Sequence, residues 1–204
     1  SAFEKIQVEI ASFVCMGFFG AAFFVQLIVG CGPETVLFAK VFNGMLVSSN
    51  FTTIAGLIIL GCGFFTAMSA NSYFKVNLFC TLEFYCIMMF AACGMLLLTM
   101  AQELISAFIA LEIMSLSIYI LVGYDRANVT ATEAILKYLM LGAFAGAFFT
   151  MGTALVYGGA NSTKFVEIAA FISANSASNP LLIAGAFLIF VAFLFKVAAF
   201  PFHA

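Results

Sequence analysis

Long apolar stretches separated by short polar ones follow one another along most of the 204-residue chain. Six of them approach the roughly 20 residues that a helix needs to cross the hydrocarbon layer of a membrane. They lie at 9–29, 51–70, 80–100, 101–123, 132–158 and 181–202. Because the runs are unbroken rather than alternating, helices are favoured over barrel strands. The pattern predicts an all-α, polytopic transmembrane bundle of about six spans, forming one domain over residues 1–204.

The polar breaks between the runs predict how the spans are connected. Residues 83–124 are long enough for two crossings, and TMAQE at 99–103 is the most polar point between them, which predicts a turn there. Asn43-Gly44 is a typical hairpin pair, although a plain loop is an equally good interpretation. Residues 162–174 have apolar positions at helical spacing and predict a short interfacial helix. Residues 175–180 are predicted to link it to the last span.

The few basic residues between the spans bear on orientation. Six spans put both chain ends on one side, together with Lys5, Lys75 and Arg126, and leave Lys40 and Lys164 on the other. Since the side facing the cytoplasm or the mitochondrial matrix usually carries more basic residues, the ends are predicted to face it.

Composition agrees with a membrane protein and excludes other classes. Hydrophobic residues make up 65% of the chain and charged residues only 8%, whereas about 25% is typical of soluble domains. The absence of a basic cluster argues against nucleic-acid binding. With one histidine and cysteines that form no CxxC pair, the sequence predicts no metal site, disulfide framework or protein-ligated redox centre. The cysteines are Cys15, Cys31, Cys62, Cys80, Cys86 and Cys93.

Glu112 is the acidic residue most deeply embedded in an apolar run. A carboxylate at that depth costs several kcal/mol unless it is paired or hydrated. Ser115 and Tyr119 follow on the same helical face and form a polar stripe that must face protein or water. This favours a site on an ion pathway over a carboxyl that only joins two helices. Glu83 and Glu103 fall near span ends and are expected to be solvated.

Lys196 is the corresponding base, in the sequence FLFKVAAFPFHA at 193–204. Pro201 leaves the carbonyl of Val197 without a helical partner, so the helix is predicted to kink or break beside the lysine. His203 lies two turns further along the same face as a possible proton relay. The pattern predicts a proton-handling site, and a lysine that reaches for lipid headgroups is the alternative.

Lys137 is a third candidate for proton transfer, in the sequence TEAILKYLMLGAFAG. Glu133 precedes it by four residues, in the favourable orientation for an ion pair on one helix. A lysine reaching for the membrane surface is an equally good interpretation. Further along this span, Gly142 and Gly146 form a GxxxG motif, which is expected to serve close helix packing only.

Four stretches of the chain resemble a known family. They are EFYCIMMFAACGMLLL (83–98), FIALEIMSLSIYILVGY (108–124), EAILKYLMLGAFAGAFFTMGTALVYG (133–158) and FLFKVAAFPFH (193–203). Together they resemble the antiporter-like membrane subunits of respiratory complex I, the proton-pumping NADH:quinone oxidoreductase. The resemblance is strongest to the group called N in bacteria and 2 in mitochondria, and it covers about residues 80–203.

The resemblance implies roles for the candidate residues. Glu112 corresponds to a helix-centred glutamate, Lys196 to a lysine in a discontinuous helix, and Lys137 to the lysine on the intervening helix. In the family the Glu/Lys pair belongs to a half-channel that moves protons when quinone is reduced in other subunits. The implied partners are the other membrane-arm subunits and the lipid bilayer. The implied location is the bacterial cytoplasmic membrane or the mitochondrial inner membrane.

The resemblance also implies what this chain lacks. No cofactor is expected here, since NADH, FMN, iron–sulfur clusters and quinone belong to partner subunits. The family pattern continues beyond the PFH motif and starts one helix earlier, so we expect a piece of a longer subunit, an incomplete chain or part of a split one. Two alternatives stay open. One is a subunit of a multisubunit cation/proton antiporter or membrane-bound hydrogenase, and the other is a scaffold that does not pump.

Overall fold

The computed structural model of the chain describes residues 2–30, 32, 40–76, 82–125, 128–175 and 179–200. Within these ranges the chain forms seven helices and one small hairpin. The helices are α1 (Ala2–Gly30), α2 (Asn50–Val76), α3 (Leu82–Met100), α4 (Leu104–Val122), α5 (Val129–Ala160), α6 (Phe165–Asn175) and α7 (Pro180–Lys196). The strands are β1 (Lys40–Val41) and β2 (Leu46–Val47), which pair in antiparallel fashion.

Five helices, α1 to α5, are long and apolar enough to cross a membrane. The predicted sixth span, 181–202, is helical only over the 17 residues Pro180–Lys196. At about 1.5 Å per residue this helix is roughly 26 Å long, a little short of a hydrocarbon layer of about 30 Å. The chain is therefore an integral membrane protein with five helices of membrane-spanning length and a shorter apolar helix, α7, among its described residues.

Local sequence explains where several helices begin and end. The side chains of Asn128 and Asn179 each accept a hydrogen bond at 3.0 Å from the backbone two residues on, which caps the starts of α5 and α7. Pro180 occupies the first position of α7, where a missing N–H costs nothing. Asn161 ends α5 in the left-handed conformation, with φ 55°. Asparagine tolerates that conformation better than most residues.

The buried side chains fall into two clusters. The N-terminal cluster joins α1, α2 and α3, and includes Ala11, Cys15, Phe19, Leu60, Ala67, Ala70, Phe74, Tyr85, Met88 and Ala92. The C-terminal cluster joins α4, α5 and α7, and includes Leu104, Ala107, Leu111, Phe149, Val156, Leu182 and Ala192. Every candidate site residue whose side chain is described lies in α4, α5 or α7.

Glycines bring α5 and α7 together in the C-terminal cluster. A Cβ atom on Gly152 would lie 2.8 Å from the carbonyl oxygen of Gly185, and one on Gly185 would lie 2.7 Å from that of Gly152. Two backbones can approach this closely only where neither carries a side chain. This contact fixes α7, and with it Lys196, against the rest of the cluster.

Three loops meet at one end of the bundle. The hairpin of β1 and β2 contacts the α3–α4 turn through a bridge between Leu46 and Ala101. The same turn contacts the α5–α6 loop through a bridge between Glu103 and Lys164. We call residues 40–47, 101–104 and 162–165 the loop junction. The junction confirms the predicted hairpin and turn. It also agrees with Lys40 and Lys164 lying on one side of the membrane.

Glu103 corrects one expectation. It was expected to be solvated, yet it is only 6% exposed at the loop junction. Its carboxylate accepts hydrogen bonds from Ser106, at 3.0 Å, and from Thr163, at 3.5 Å. Position near a span end does not imply exposure here, because the α5–α6 loop covers the turn. Glu83, in contrast, is exposed as expected.

The predicted short helix between the fifth and last spans is α6. At its start, Ser162 donates a hydrogen bond to Glu167, and Lys164 forms an ion pair with the same carboxylate at 3.3 Å. The Ser162 hydrogen bond and then Lys164 lower the pKa of the Glu167 carboxyl. Ile168 and Phe171 pack against the C-terminal cluster, while the polar start of the helix stays exposed. This arrangement suits a helix at a membrane surface.

Candidate functional site

Lys196 is the last residue of α7, where the helix ends in a Schellman turn. Ala198 takes the left-handed conformation, with φ 51°. Its N–H bonds to the carbonyl of Phe195 at 3.1 Å, and the N–H of Ala199 bonds to that of Leu194 at 3.0 Å. Glycine usually occupies the position of Ala198, because a Cβ atom is strained there. The predicted break beside Lys196 is therefore confirmed.

The Lys196 side chain reaches across to α4. Its ammonium donates hydrogen bonds to the hydroxyls of Ser115 and Tyr119, the latter at 3.4 Å. The nitrogen also lies 5.8 Å from the centre of the Tyr119 ring, within the range of a cation–π interaction. Ser115 in turn donates its hydrogen to the carbonyl of Leu111. The polar stripe predicted on α4 is thus the surface on which the lysine rests.

Glu112 lies beside this contact. It lines the same small cavity as Lys196. The cavity leaves about 10 Å³ for the centre of a water molecule, roughly the room that one water requires. Its remaining walls are Phe108, Leu111, Ala145, Gly146, Phe149, Ala192 and Phe193. The site is a small, mostly apolar pocket that is lined by one acid and one base.

The two glycines of the GxxxG motif on α5 face this site. A Cβ atom on Gly142 would overlap the Tyr119 hydroxyl, and one on Gly146 would lie 3.1 Å from the Glu112 carboxylate. The motif was expected to serve helix packing only. It instead forms two notches that receive the polar ends of α4 side chains, so it determines where those groups lie.

The structure brings together two of the four predicted site residues. Glu112 and Lys196 line one cavity, although they are far apart in sequence. Lys137 lies elsewhere, on an exposed face of α5, and forms an ion pair with Glu133 at 2.6 Å. His203 and Pro201 lie outside the described residues, so the predicted relay stays a prediction.

Three contributors to the site were not assigned a role from the sequence. Ser115 and Tyr119 were identified as a polar stripe, but no partner for them could be named. Gly142 carried a signal in the GxxxG motif, but spacing alone cannot tell a notch for a hydroxyl from a helix contact. Within the described residues, no group of three or more His, Cys, Asp or Glu side chains could hold a metal ion.

Comparison with known proteins relates the chain to one family. A family model described as NADH:quinone oxidoreductase/Mrp antiporter, transmembrane, matches residues 101–204. NADH-quinone oxidoreductase subunit N 1 of Thermodesulfovibrio yellowstonii is 40% identical over 164 residues, which is 80% of this chain and 35% of that protein. Subunit N of Trichlorobacter lovleyi is 34% identical over 201 residues, 98% of this chain and 40% of that protein. The chain thus spans well under half the length of these relatives.

Solved structures give the same fold. Respiratory complex I from Thermus thermophilus with bound aureothin contains a chain that matches 99% of this one with a TM-score of 0.67 and 27% identity. The match covers 44% of that chain. An archaeal membrane-bound sulfane sulfur reductase matches 98% of this chain with a TM-score of 0.71 and 20% identity, over 45% of its own length. At that identity the second likeness concerns the fold alone.

Proposed function

The chain belongs to the NADH:quinone oxidoreductase/Mrp antiporter transmembrane family, and from that premise we propose that it forms part of a proton-translocating membrane subunit of complex I. Its relatives that are 34–40% identical are named NADH-quinone oxidoreductase subunit N. The partners would be other membrane-arm subunits. NADH oxidation and quinone reduction would take place in those partners and drive proton movement through this subunit.

One observation carries the proposal. Lys196 ends a broken helix inside the bundle and shares a cavity wall with Glu112. A membrane interior disfavours an isolated charge of either sign. An acid and a base that share a small, mostly apolar pocket can therefore exchange a proton, since each charged form depends on the other. Transfer from the ammonium to the carboxylate yields a neutral amine and a carboxyl, which leaves no separated charges in the pocket.

Lys137 would serve a later step of the same path. Its ion pair with Glu133 lies on an exposed face of α5, and the chain covers well under half of its relatives. The rest of the subunit or a neighbouring subunit would cover this face and receive the proton. We propose that the chain itself binds no redox cofactor, because its cysteines lack the paired spacing of cluster ligands.

The test uses the full-length subunit in the assembled complex, reconstituted into liposomes. Glu112→Gln and Lys196→Met should each lower NADH-driven proton pumping at least tenfold, and NADH oxidation by ferricyanide should stay normal as a measure of assembly. The double variant should lose little more than either single one, because paired residues do not contribute additively. Glu83→Gln, an exposed carboxylate at a helix start, is the control and should pump normally.

Lys137→Met should give an intermediate loss of pumping. Normal pumping by both Glu112→Gln and Lys196→Met would contradict the proposal and favour a scaffold that does not pump. The family description also names the Mrp antiporter, which agrees with the alternative of a cation/proton antiporter subunit. Purification separates the two functions: co-purification with flavin and iron–sulfur subunits supports complex I, and a complex without redox cofactors supports an antiporter.

A further inference from the structure

We infer that the hydroxyls of Ser115 and Tyr119 form a second binding position for the Lys196 side chain, which we call the second seat. It is separate from Glu112, and the lysine side chain occupies it between proton transfers. The inference rests on the function proposed above and adds Tyr119 as a positioning residue. It starts from the observation that the ammonium hydrogen-bonds two hydroxyls. Among the described residues, those bonds take the place of a salt bridge to the neighbouring carboxylate.

The seat and the acid lie along one face of α4. Ser115 and Tyr119 follow Glu112 by one and two helical turns, which places them about 4.5 and 10.5 Å further along the axis. Lysine has a flexible four-carbon stem, and the Lys196 ammonium contacts both hydroxyls while it lines one cavity with Glu112. Lys196 can therefore move between the carboxylate and the hydroxyls by rotation of its side chain.

The chemistry of the two seats differs. A carboxylate stabilises the charged form of the lysine much more than the neutral amine, and a permanent ion pair would hold the transferable proton on the lysine. A hydroxyl accepts from an ammonium and donates to a neutral amine, so it suits both forms. Ser115 already donates its hydrogen to the carbonyl of Leu111. Tyr119 can turn its own hydrogen toward the amine, which makes it the group that receives the lysine after transfer.

Tyr119 is held firmly enough to act this way. It is 6% exposed, and its hydroxyl fills the notch at Gly142. The backbone of α5 at Gly142 limits movement of the ring toward that helix, so the hydroxyl oxygen stays within reach of Lys196. In the transfer step the ammonium would leave this seat, give its proton to the Glu112 carboxylate and return as an amine that accepts a hydrogen bond from Tyr119.

The first test removes the hydroxyl and keeps the ring. Tyr119→Phe, in the full-length subunit of the assembled complex in liposomes, should lower NADH-driven proton pumping at least threefold at normal ferricyanide activity. Tyr157→Phe is the matched control, because this exposed phenol lies on α5 away from the site. Pumping by Tyr119→Phe at the level of the control would overturn the inference.

A second variant separates hydrogen bonding from packing. Gly142→Ala places a methyl group where the Tyr119 hydroxyl lies, and should lower pumping by a similar factor. The double variant Tyr119→Phe/Gly142→Ala refills the space with that methyl group, so it restores packing without the hydroxyl. If the hydroxyl acts on Lys196, the double variant pumps no better than Tyr119→Phe. Recovery to the wild-type rate would mean that Tyr119 only fills space, and would overturn the inference.

If Tyr119→Phe assembles poorly, the double variant still decides. Pumping by the double variant at the wild-type rate would overturn the inference, and reduced pumping at normal ferricyanide activity would support it. Failure of this inference can also be distinguished from failure of the proposed function. Normal pumping by both Glu112→Gln and Lys196→Met refutes the proposed function, whereas loss with Lys196→Met but not with Tyr119→Phe refutes the second seat alone.

Discussion

The N-terminal and C-terminal clusters are built from the same kinds of helix but bury different groups. In the N-terminal cluster the core is aromatic and aliphatic, and its aromatic part centres on Phe74, which contacts the rings of Phe84 and Tyr85 edge-on. The C-terminal cluster holds Glu112 and Lys196 on one cavity. The family match, residues 101–204, covers the second cluster and leaves the first outside.

The clusters also differ in how their helices approach one another. In the first, Gly63 faces the side chain of Phe19, so a ring fills the space between α1 and α2. In the second, Gly152 and Gly185 bring two backbones into contact, and Gly142 and Gly146 receive polar groups. Small residues thus make room inside the protein for charged side chains that lipid would not accept. The comparison teaches that packing in one cluster serves stability and in the other also shapes a site.

The largest difference in stability between the clusters should follow from adding one methyl group to a glycine of each. Gly152→Ala forces a Cβ atom against the backbone of α7, and should lower the free energy of unfolding by about 3 kcal/mol. Gly63→Ala meets a phenylalanine ring that can rotate, and should cost about 1 kcal/mol. Unfolding in mixed micelles, followed by circular dichroism, measures both. Equal costs would contradict the distinction between backbone and side-chain contacts.

A smaller difference in the free energy of unfolding is expected when either of two glutamates near helix starts is replaced. Glu103→Leu leaves the hydroxyls of Ser106 and Thr163 without their acceptor, and should cost about 2 kcal/mol of unfolding free energy. Glu83→Leu removes an exposed carboxylate and should change it by less than about 0.5 kcal/mol. The same unfolding measurement serves, and a neutral Glu103→Leu would mean that the loop junction does not depend on this carboxylate.

Two buried serines offer a matched comparison between the clusters. Each donates its hydrogen to a carbonyl of its own helix, Ser12 to Glu9 and Ser115 to Leu111. Only Ser115 also accepts from a lysine. Ser115→Ala should therefore cost about 1.5 kcal/mol, and Ser12→Ala about half as much, because hydrogen bonds to charged groups are the stronger ones. Equal costs would argue that Tyr119 alone holds the ammonium.

The smallest expected effect is a gain in stability. Ala198→Gly removes the strain of a Cβ atom in the left-handed conformation, and should raise the free energy of unfolding by about 1 kcal/mol. Asn161→Gly, at the end of α5 with φ 55°, should gain only a few tenths, since asparagine already tolerates the conformation. Thermal unfolding in detergent measures both, and destabilisation by Ala198→Gly would show that the turn is not strained.

Much of the fold followed from the sequence because lipid imposes a simple rule. A span must be apolar over about 20 residues, so the positions of α1 to α5 could be predicted from hydropathy. The span that contains α7 was predicted too long, as 181–202, because the apolar run continues past Lys196. The break itself was predicted from Pro201, through the loss of a backbone donor.

The site was predictable in part. Glu112 and Lys196 stand out because charge within an apolar run is costly, and this holds for each residue alone. Their common cavity, and the hydrogen bonds from Lys196 to Ser115 and Tyr119, depend on how α4 and α7 pack. Burial of Glu103 was missed for the same reason, since a loop distant in sequence covers it. Local sequence patterns identify charged residues that are unfavourable in an apolar run, and tertiary contacts determine which groups stabilise them.

The loop junction has a consequence for how the protein is made. One bridge joins β2 to the α3–α4 turn, and the other joins that turn to the α5–α6 loop. In each bridge two helices separate the partners in sequence, so the second partner is synthesised only after both helices. The junction therefore closes stepwise during synthesis, with the α5–α6 loop last. Until that loop is made, the Glu103 carboxylate lacks the hydrogen bond from Thr163 and keeps the one from Ser106 on its own helix.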